Sequence, residues 1–91
     1  MRRVRTHRFN GVKYDISVNL PIDGYCESPK PAATFVPELC VGVDINTKLG
    51  LDRLIHESLH ACKYSTNEEQ VTQTATDIAD FLWRLGFRRQ Q

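Results

Sequence analysis

The stretch of sequence that decides the fold is LDRLIHESLHAC, residues 51–62. Its apolar side chains recur at intervals of three and four residues, which is the pattern of an amphipathic helix. We expect this helix to run from about residue 48 to residue 62, with Thr47 as its N-cap. The residues that form its apolar stripe are Leu51, Leu54, Ile55, Leu59 and Cys62.

The same helix carries HESLH, an HExxH pattern that begins at His56. Residues four apart share one face of a helix, so the imidazoles of His56 and His60 can reach one metal ion. Glu57 is then left beside the open coordination position. The apolar stripe centres near Ile55 and Cys62, more than a quarter turn from both histidines. We therefore interpret the histidines as metal ligands that face a cleft, against the alternative of two surface histidines.

A second helix is expected from residue 67 to residue 85, and Gly86 is well placed to end it. The connection between the two helices, residues 63–66, is short, which predicts that they pack side by side and roughly antiparallel. The apolar residues that set the phase of the second helix are Val71, Ala75, Ile78, Ala79, Phe81, Leu82 and Leu85.

A catalytic zinc ion has three protein ligands, so a third residue must join the two histidines. Glu68 lies about 60° from Val71 on the helical wheel, and it is our predicted third ligand. The alternative is that Glu68 is a helix-start glutamate favoured by the helix dipole, but Thr66 paired with Glu69 would satisfy the capping role alone. The acidic residues that the second helix offers are Glu68, Glu69, Asp77 and Asp80.

The first half of the chain predicts a β-hairpin. Apolar and polar residues alternate over residues 12–20, which is typical of a half-buried strand, and residues 4–9 are compatible with a strand before it. Asn10 and Gly11 tolerate the positive φ angles of a two-residue hairpin turn. His7 is thereby placed on the inner face, as a hydrogen-bonded strand histidine or as a residue that lines the site. The expected opposite pairs are Phe9 with Val12 and His7 with Tyr14.

A long loop follows, because all four prolines and Gly24 fall in residues 21–37. Tyr25 is the residue of this loop whose polar tip could reach a site. Alternation resumes over residues 39–43, which predicts a short third strand. If this strand lies at the sheet edge, it could bind an extended peptide by strand addition.

These elements predict an α+β fold, in which a small antiparallel three-stranded sheet packs on two helices. We expect one domain over residues 1–91, with the sheet and loop in residues 1–46 and the two-helix zinc-binding part in residues 47–86. The chain is 41% apolar and 25% charged, as in soluble globular proteins, but its 91 residues allow only a thin core. A metal ion that joins two elements would add folding free energy.

Charge and cysteine usage limit the classes of function. The net charge of +1 does not by itself imply nucleic acid, and the arginines near both termini are interpreted as aiding solubility. The three cysteines are an odd number without a CxxC pair, which argues against a disulfide framework and against a thiolate zinc site. No apolar run resembles a signal peptide or a membrane span. A cytoplasmic protein is the expectation.

Together these residues resemble the zincin superfamily, and within it the small HExxH proteins of phages and prophages. The similarity is strongest over residues 51–87, where LDRLIHESLHACKYS, NEEQV and DIADFLWRLGF match that group. The resemblance implies that His56, His60 and Glu68 are ligands and that Glu57 is the general base. No histidine follows His60, which excludes a metzincin, and Glu68 lies much closer than the glutamate ligand of the larger gluzincins.

The resemblance implies a zinc-dependent metallopeptidase acting on a peptide or protein, in the host cytoplasm if the chain is phage-encoded. Zinc would lower the pKa of its bound water, and Glu57 would take the proton as that water attacks a polarised carbonyl. Tyr64, Tyr25 and His7 are candidates to stabilise the oxyanion. The alternative is a non-catalytic, zinc-stabilised binding or virion-associated protein, with nucleic-acid contact through the basic termini as a further variant.

Overall fold

The computed structural model of the chain describes residues 4–18, 24–27, 36–42, 44–63 and 67–88. The α+β class predicted from the sequence is confirmed within them, although the sheet differs in detail. The elements, in chain order, are β1 (Thr6–Phe9), β2 (Val12–Val18), β3 (Tyr25–Cys26), β4 (Glu38–Val41), α1 (Lys48–Cys62) and α2 (Glu68–Arg84).

Strands β1 and β2 form the predicted hairpin. Asn10 and Gly11 have φ angles of 53° and 83°, as a two-residue turn with two positive φ angles requires. His7 is paired with Tyr14, but β1 is an edge strand and the His7 side chain is exposed, while Tyr14 is fully buried. The predicted inner position therefore does not bury His7. The register matches the expected one, with Phe9 opposite Val12 and His7 opposite Tyr14.

The predicted three-stranded antiparallel sheet is wrong in two respects. The sheet has four strands in the order β1-β2-β4-β3, and β2 pairs with β4 in parallel, whereas β3 pairs with β4 in antiparallel fashion. Strand β3 has only two residues, too few for an alternating pattern, so the sequence shows it only as loop. Strand β4 is therefore internal and not at the sheet edge. Residues 19–23, 28–35 and 43 of the predicted loop and strands lie outside the described residues.

Helix α1 lies between the sheet and α2. It contacts β1, β3 and β4 on one side and α2 on the other, and among the described elements α2 contacts α1 alone. The sheet packs on α1 through a small apolar core, which explains how a chain of this length folds around one central helix. The fully or largely buried residues of this core are Tyr14, Leu39, Val41 and Ala61.

The two helices run antiparallel, as the short connection predicted. The Thr76 hydroxyl donates to Asp52 Oδ2 at 2.9 Å, and Lys48 Nζ pairs with Asp80 Oδ1 at 2.9 Å. Earlier residues of α1 thus face later residues of α2. The consequence is that the end of α1, which carries the HExxH pattern, lies beside the start of α2.

The cap of α2 differs from the predicted pairing of Thr66 with Glu69. Asn67 is the N-cap, and its side-chain oxygen accepts hydrogen bonds from the backbone N–H groups of Glu69 at 2.8 Å and Gln70 at 3.2 Å. Thr66 lies outside the described residues. Gly86 follows the helix with a φ of 93°, which agrees with its predicted role at the C-terminal end.

The start of α1 is fixed by a tight contact at Gly50. Thr47 is the N-cap as predicted, because its Oγ1 accepts from the backbone N–H of Gly50 at 3.0 Å and donates to the Asp44 carbonyl at 2.7 Å. The helix therefore begins directly against the preceding turn. A Cβ at Gly50 would overlap the Asp44 carbonyl and lie 2.5 Å from the Cα of Ile45, so a residue with a side chain does not fit.

We expect Gly50→Ala to destabilise the protein, although alanine is the better helix former by about 1 kcal/mol. The added methyl group must displace backbone atoms, and overpacking of this kind costs about 1–3 kcal/mol. Thermal unfolding followed by circular dichroism measures the effect. Leu49→Ala, at the exposed neighbouring position, is the control and should change the free energy of unfolding by less than about 0.5 kcal/mol. Equal midpoints for the two variants would contradict the packing argument.

Candidate metal centre

Three side chains from two helices meet between the end of α1 and the start of α2. His56 and His60 lie one turn apart on α1, with ring centroids 5.0 Å apart. Glu68, the first residue of α2, reaches both of them. Its Oε1 lies 2.8 Å from His56 Nε2, and its Oε2 lies 2.7 Å from His60 Nε2.

This group could hold a metal ion. His56, His60 and Glu68 each offer one ligand atom, and these atoms all lie within 4.8 Å of one another. Two imidazole nitrogens and one carboxylate oxygen form a donor set that suits zinc and similar divalent transition metals. The histidine side chains are 9% and 14% exposed and Glu68 is 66% exposed, so the group is open on the Glu68 side.

The helical phase separates the two adjacent glutamates as the sequence predicted. Glu68 contacts both imidazoles, whereas Glu69 lies in a separate surface depression with Gln70 and Gln73. The backbone N–H of Glu69 is held by the Asn67 cap. The role of Glu69 in the structure is therefore at the helix start and not at the metal group.

The electrostatics of Glu68 favour its charged form. Partial burial acts to raise the pKa of this carboxyl group, but the charge of His56 and the hydrogen bonds from both imidazoles outweigh it, so the pKa lies below its ordinary value. A carboxylate that binds a metal ion must be deprotonated. Glu68 meets this condition at neutral pH.

Glu57 lies in the same cleft but does not belong to the metal group. Its side chain is buried, although carboxyl groups are ordinarily charged at neutral pH and therefore usually exposed. It lies between α1 and the sheet. The cleft has a volume of about 420 Å³. The residues that line it are Gly24, Tyr25, Cys26, His56, Glu57, His60 and Glu68.

The opposite wall of the cleft is the edge strand β3 with Gly24 before it, and of these residues the sequence suggested only Tyr25 for the site. A Cβ at Gly24 would lie 2.8 Å from the Cys40 carbonyl and 3.6 Å from Glu57 Oε2. The missing side chain thus lets the backbone before β3 pack against the Cys40 carbonyl of β4, and the Glu57 carboxylate lies beside this contact. No spacing pattern connects Gly24 with a helix residue that lies 33 positions later, so sequence reasoning had no signal for this contact.

Burial dominates the acid–base properties of the residues around Glu57. It raises the pKa of Glu57, and the charges of His56 and His60 oppose that effect only in part. The Cys26 thiol has its pKa raised to about 11, first by burial and then by the charge of Glu57, so this thiol is neutral at physiological pH. A carboxyl group with a raised pKa is a better proton acceptor in the neutral range.

Of the predicted oxyanion stabilisers, Tyr25 lines the cleft of the metal group and His7 does not. The Tyr25 hydroxyl donates a hydrogen bond to Glu38 Oε1, and this bond is the main cause that raises the pKa of Tyr25 to about 12. His7 lies in a different surface depression, beside Arg8 and at the far edge of the sheet. Tyr64 lies outside the described residues.

The interpretation of the site rests on its own geometry. The chain matches no protein-family model, no protein of curated function and no solved structure at a significant level. Neither helix in the described part of the chain has the length and hydropathy that a membrane span requires.

We expect Glu57→Gln to stabilise the metal-free protein at neutral pH. Burial raises the folded-state pKa above the unfolded value of about 4.3, so stability is lost as the pH rises from the unfolded pKa through the folded pKa. Glutamine avoids this loss. The midpoint of thermal unfolding, measured with a chelator present, should exceed that of wild type at about pH 8 and approach it at about pH 4.

The matched control is Glu69→Gln, because Glu69 is exposed and outside the cleft. This variant should show no comparable gain at either pH. A Glu57→Gln midpoint at or below that of wild type at about pH 8 would show that burial of the Glu57 carboxylate carries no energetic cost.

Proposed function

We propose that this chain is a zinc-dependent metallopeptidase with a minimal zincin-like fold, which hydrolyses peptide bonds in a peptide or protein. The observation that carries the proposal is the contact of Glu68 with both histidines of the HExxH pattern, beside a buried Glu57. The pattern alone supplies two donors. Glu68 from another helix could be the third donor, and the open cleft beside Glu57 supports the proposal as well.

The donor set supports zinc as the metal. His56, His60 and Glu68 give the two nitrogens and one oxygen that catalytic zinc sites use, with a position left for water or substrate. A bound zinc ion would supply Lewis acidity, polarising a substrate carbonyl and lowering the pKa of a water molecule. In the metal-free group, the pKa of Glu68 is already lowered by the imidazoles, so Glu68 offers the carboxylate form before a metal ion binds.

Glu57 is the proposed general base. Peptide hydrolysis needs a group that accepts a proton from the attacking water and then delivers a proton to the leaving amine. Glu57 lies in the cleft next to His56 and is not one of the three donors, so its carboxylate remains available for this transfer. Its raised pKa brings it closer to the neutral range in which both steps must occur.

The edge strand β3 is the proposed binding surface for an extended substrate. Gly24 and Cys26 line the cleft on the side opposite the histidines, and the sheet order leaves β3 at the edge. Strand addition at a sheet edge uses main-chain hydrogen bonds and therefore accepts many sequences. This assigns to β3 the role that the sequence suggested for the third strand, which is internal.

A second candidate function is that of a zinc-stabilised binding or virion-associated protein without catalysis. The observation in its favour is that α2 contacts only α1 among the described elements, so a metal ion shared by His56, His60 and Glu68 would strengthen the one attachment of this helix. The two candidates differ in what they require of Glu57. Only the enzyme needs its carboxylate.

Nucleic-acid contact receives no comparable support from the described residues. Arg88 lies over the Trp83 ring with its guanidinium carbon 3.3 Å from the ring centroid, and it donates to the Trp83 and Phe87 carbonyls. It is therefore engaged within the chain. The nucleic-acid hypothesis also rested on other arginines near the termini. Those within the described residues are Arg5, Arg8 and Arg84, and those outside them are Arg2, Arg3 and Arg89.

We expect zinc to raise the stability of the protein through Glu68. At a free zinc concentration of 100 times Kd, the gain in the free energy of unfolding is about 2.7 kcal/mol. Glu68→Ala should weaken zinc binding by more than the roughly 10- to 100-fold that loss of an outer-shell partner costs. Isothermal titration with zinc after chelator treatment measures the affinity, and thermal unfolding with and without zinc measures the gain in stability. Glu69→Ala is the neighbouring control and should retain the wild-type affinity, whereas equal losses in the two variants would contradict the assignment.

Glu57→Gln separates the enzyme from the zinc-bound scaffold. Because Glu57 is a base and not a ligand, the variant should bind zinc as wild type does and lose roughly 10²- to 10⁴-fold in the rate of peptide hydrolysis. A peptide-library cleavage assay, run beside a zinc titration, provides both readings. Hydrolysis at the wild-type rate by zinc-loaded Glu57→Gln would remove Glu57 from the mechanism. Absence of hydrolysis in wild type on every peptide would favour the scaffold.

A further inference from the structure

Helix α2 carries an exposed apolar surface that the metal centre does not use. We define the α2 stripe as Ile78 and Phe81 together with Leu85, the C-cap residue that continues the helical backbone; their exposed fractions are 38%, 59% and 59%. Their spacing of three and four residues places them on one face of the helix. Single exposed apolar residues are common, but a continuous stripe on a helix marks an interaction surface.

The α2 stripe differs from the face that packs on α1. That face consists of the buried residues Val71, Ala75 and Ala79, and among the described elements α2 contacts no other. The stripe also lies at least about 80° around the helix from Glu68, at 100° per residue. A partner on the stripe would therefore leave the metal group accessible.

Charges beside the α2 stripe identify the partner. Asp77 and Arg84 are each the residue before a stripe residue, so they flank the stripe on the same side, seven positions apart. Neither Asp77 nor Arg84 takes part in an ion pair among the described residues. Asp77 accepts one hydrogen bond from Gln73. The acid nearest to Arg84 along the helix, Asp80, is paired with Lys48, and Arg84 acts on it only as a nearby charge.

This arrangement is self-complementary. When two antiparallel copies of α2 face each other about a two-fold axis near Phe81, Ile78 lies opposite Leu85 of the partner subunit. Asp77 then lies beside Arg84 of the partner subunit, and the symmetry creates the same pair a second time. An unrelated partner would need a matching acid and base at the same spacing, whereas a second copy of this chain supplies them by necessity.

We propose that the chain forms a two-fold symmetric homodimer through antiparallel packing of the α2 stripes, with two reciprocal ion pairs between Asp77 and Arg84. Apolar burial supplies the affinity, because exposed ion pairs contribute little, and the ion pairs fix the antiparallel register. The small size of the chain agrees with this role, since domains with thin cores gain stability by oligomerisation.

Charge exchange tests the register. Asp77→Arg places two arginines beside each other at both sites of the dimer, and Arg84→Asp does the same with two aspartates. Each variant alone should raise the dimer Kd by about tenfold or more, whereas an equimolar mixture of the two should restore association, because the heterodimer recovers both opposite-charge pairs. Sedimentation equilibrium over a range of concentrations gives the dissociation constants against the chain mass of 10.5 kDa.

Two further variants complete the test. Phe81→Glu should give monomers with unchanged helical circular dichroism, because it places two carboxylates at the symmetry axis. Thr72→Arg adds a charge to an exposed position on another side of α2 and should associate as wild type does. A wild-type chain that stays monomeric up to about 1 mM would overturn the proposal, and so would a dimer whose Kd is unaffected by Asp77→Arg, Arg84→Asp or their mixture.

Discussion

Helix α1 must be packed on two opposite sides at once, by the sheet on one side and by α2 on the other. An amphipathic helix buries one stripe, so the second contact draws polar positions of α1 toward the interior. His56 on the α2 side and Glu57 on the sheet side are the polar residues that become buried. A buried polar group is tolerated only when it is paired or functional, because its loss of hydration is otherwise costly. The packing of α1 between the sheet and α2 therefore places its titratable residues His56 and Glu57 at the contacts between these layers.

Two residues that are neighbours in sequence receive opposite environments from this packing. His56 faces α2 and meets the exposed carboxylate of Glu68, whereas Glu57 faces the sheet and meets the backbone at Gly24. The pKa of Glu68 is consequently lowered by the imidazoles, although burial opposes this, and the pKa of Glu57 is raised by burial. A carboxylate that stays charged and a carboxyl group that more readily accepts a proton are thus produced from the same residue type.

Local patterns predicted those features that depend on neighbours in the chain. The positive φ angles of Asn10 and Gly11 set the hairpin register, and helical phase separated Glu68 from Glu69. The parallel pairing of β2 with β4 escaped prediction because alternation identifies a strand without naming its neighbour. Strand β3 escaped prediction as well, because two residues are too few to show an alternating pattern. For that reason the sequence does not indicate that Gly24 and Cys26 line the cleft. The hairpin register places His7 on the inner face but does not show the sheet order that separates His7 from the site, whereas Tyr25 does line the cleft.

The three donors of the metal group differ in how firmly the fold holds them. The two histidines lie within α1, which packs on both the sheet and α2, but Glu68 is the first residue of a helix that contacts only α1 among the described elements. Helix ends open more readily than helix centres, and native-state hydrogen exchange reports such opening as weak protection of the first turn. A metal ion would therefore enter and leave by release of the Glu68 arm, and its exchange rate would follow the opening rate of that turn. Changes at the Asn67 cap would then alter the residence time of the metal ion, whereas changes at the three donor residues would alter its affinity.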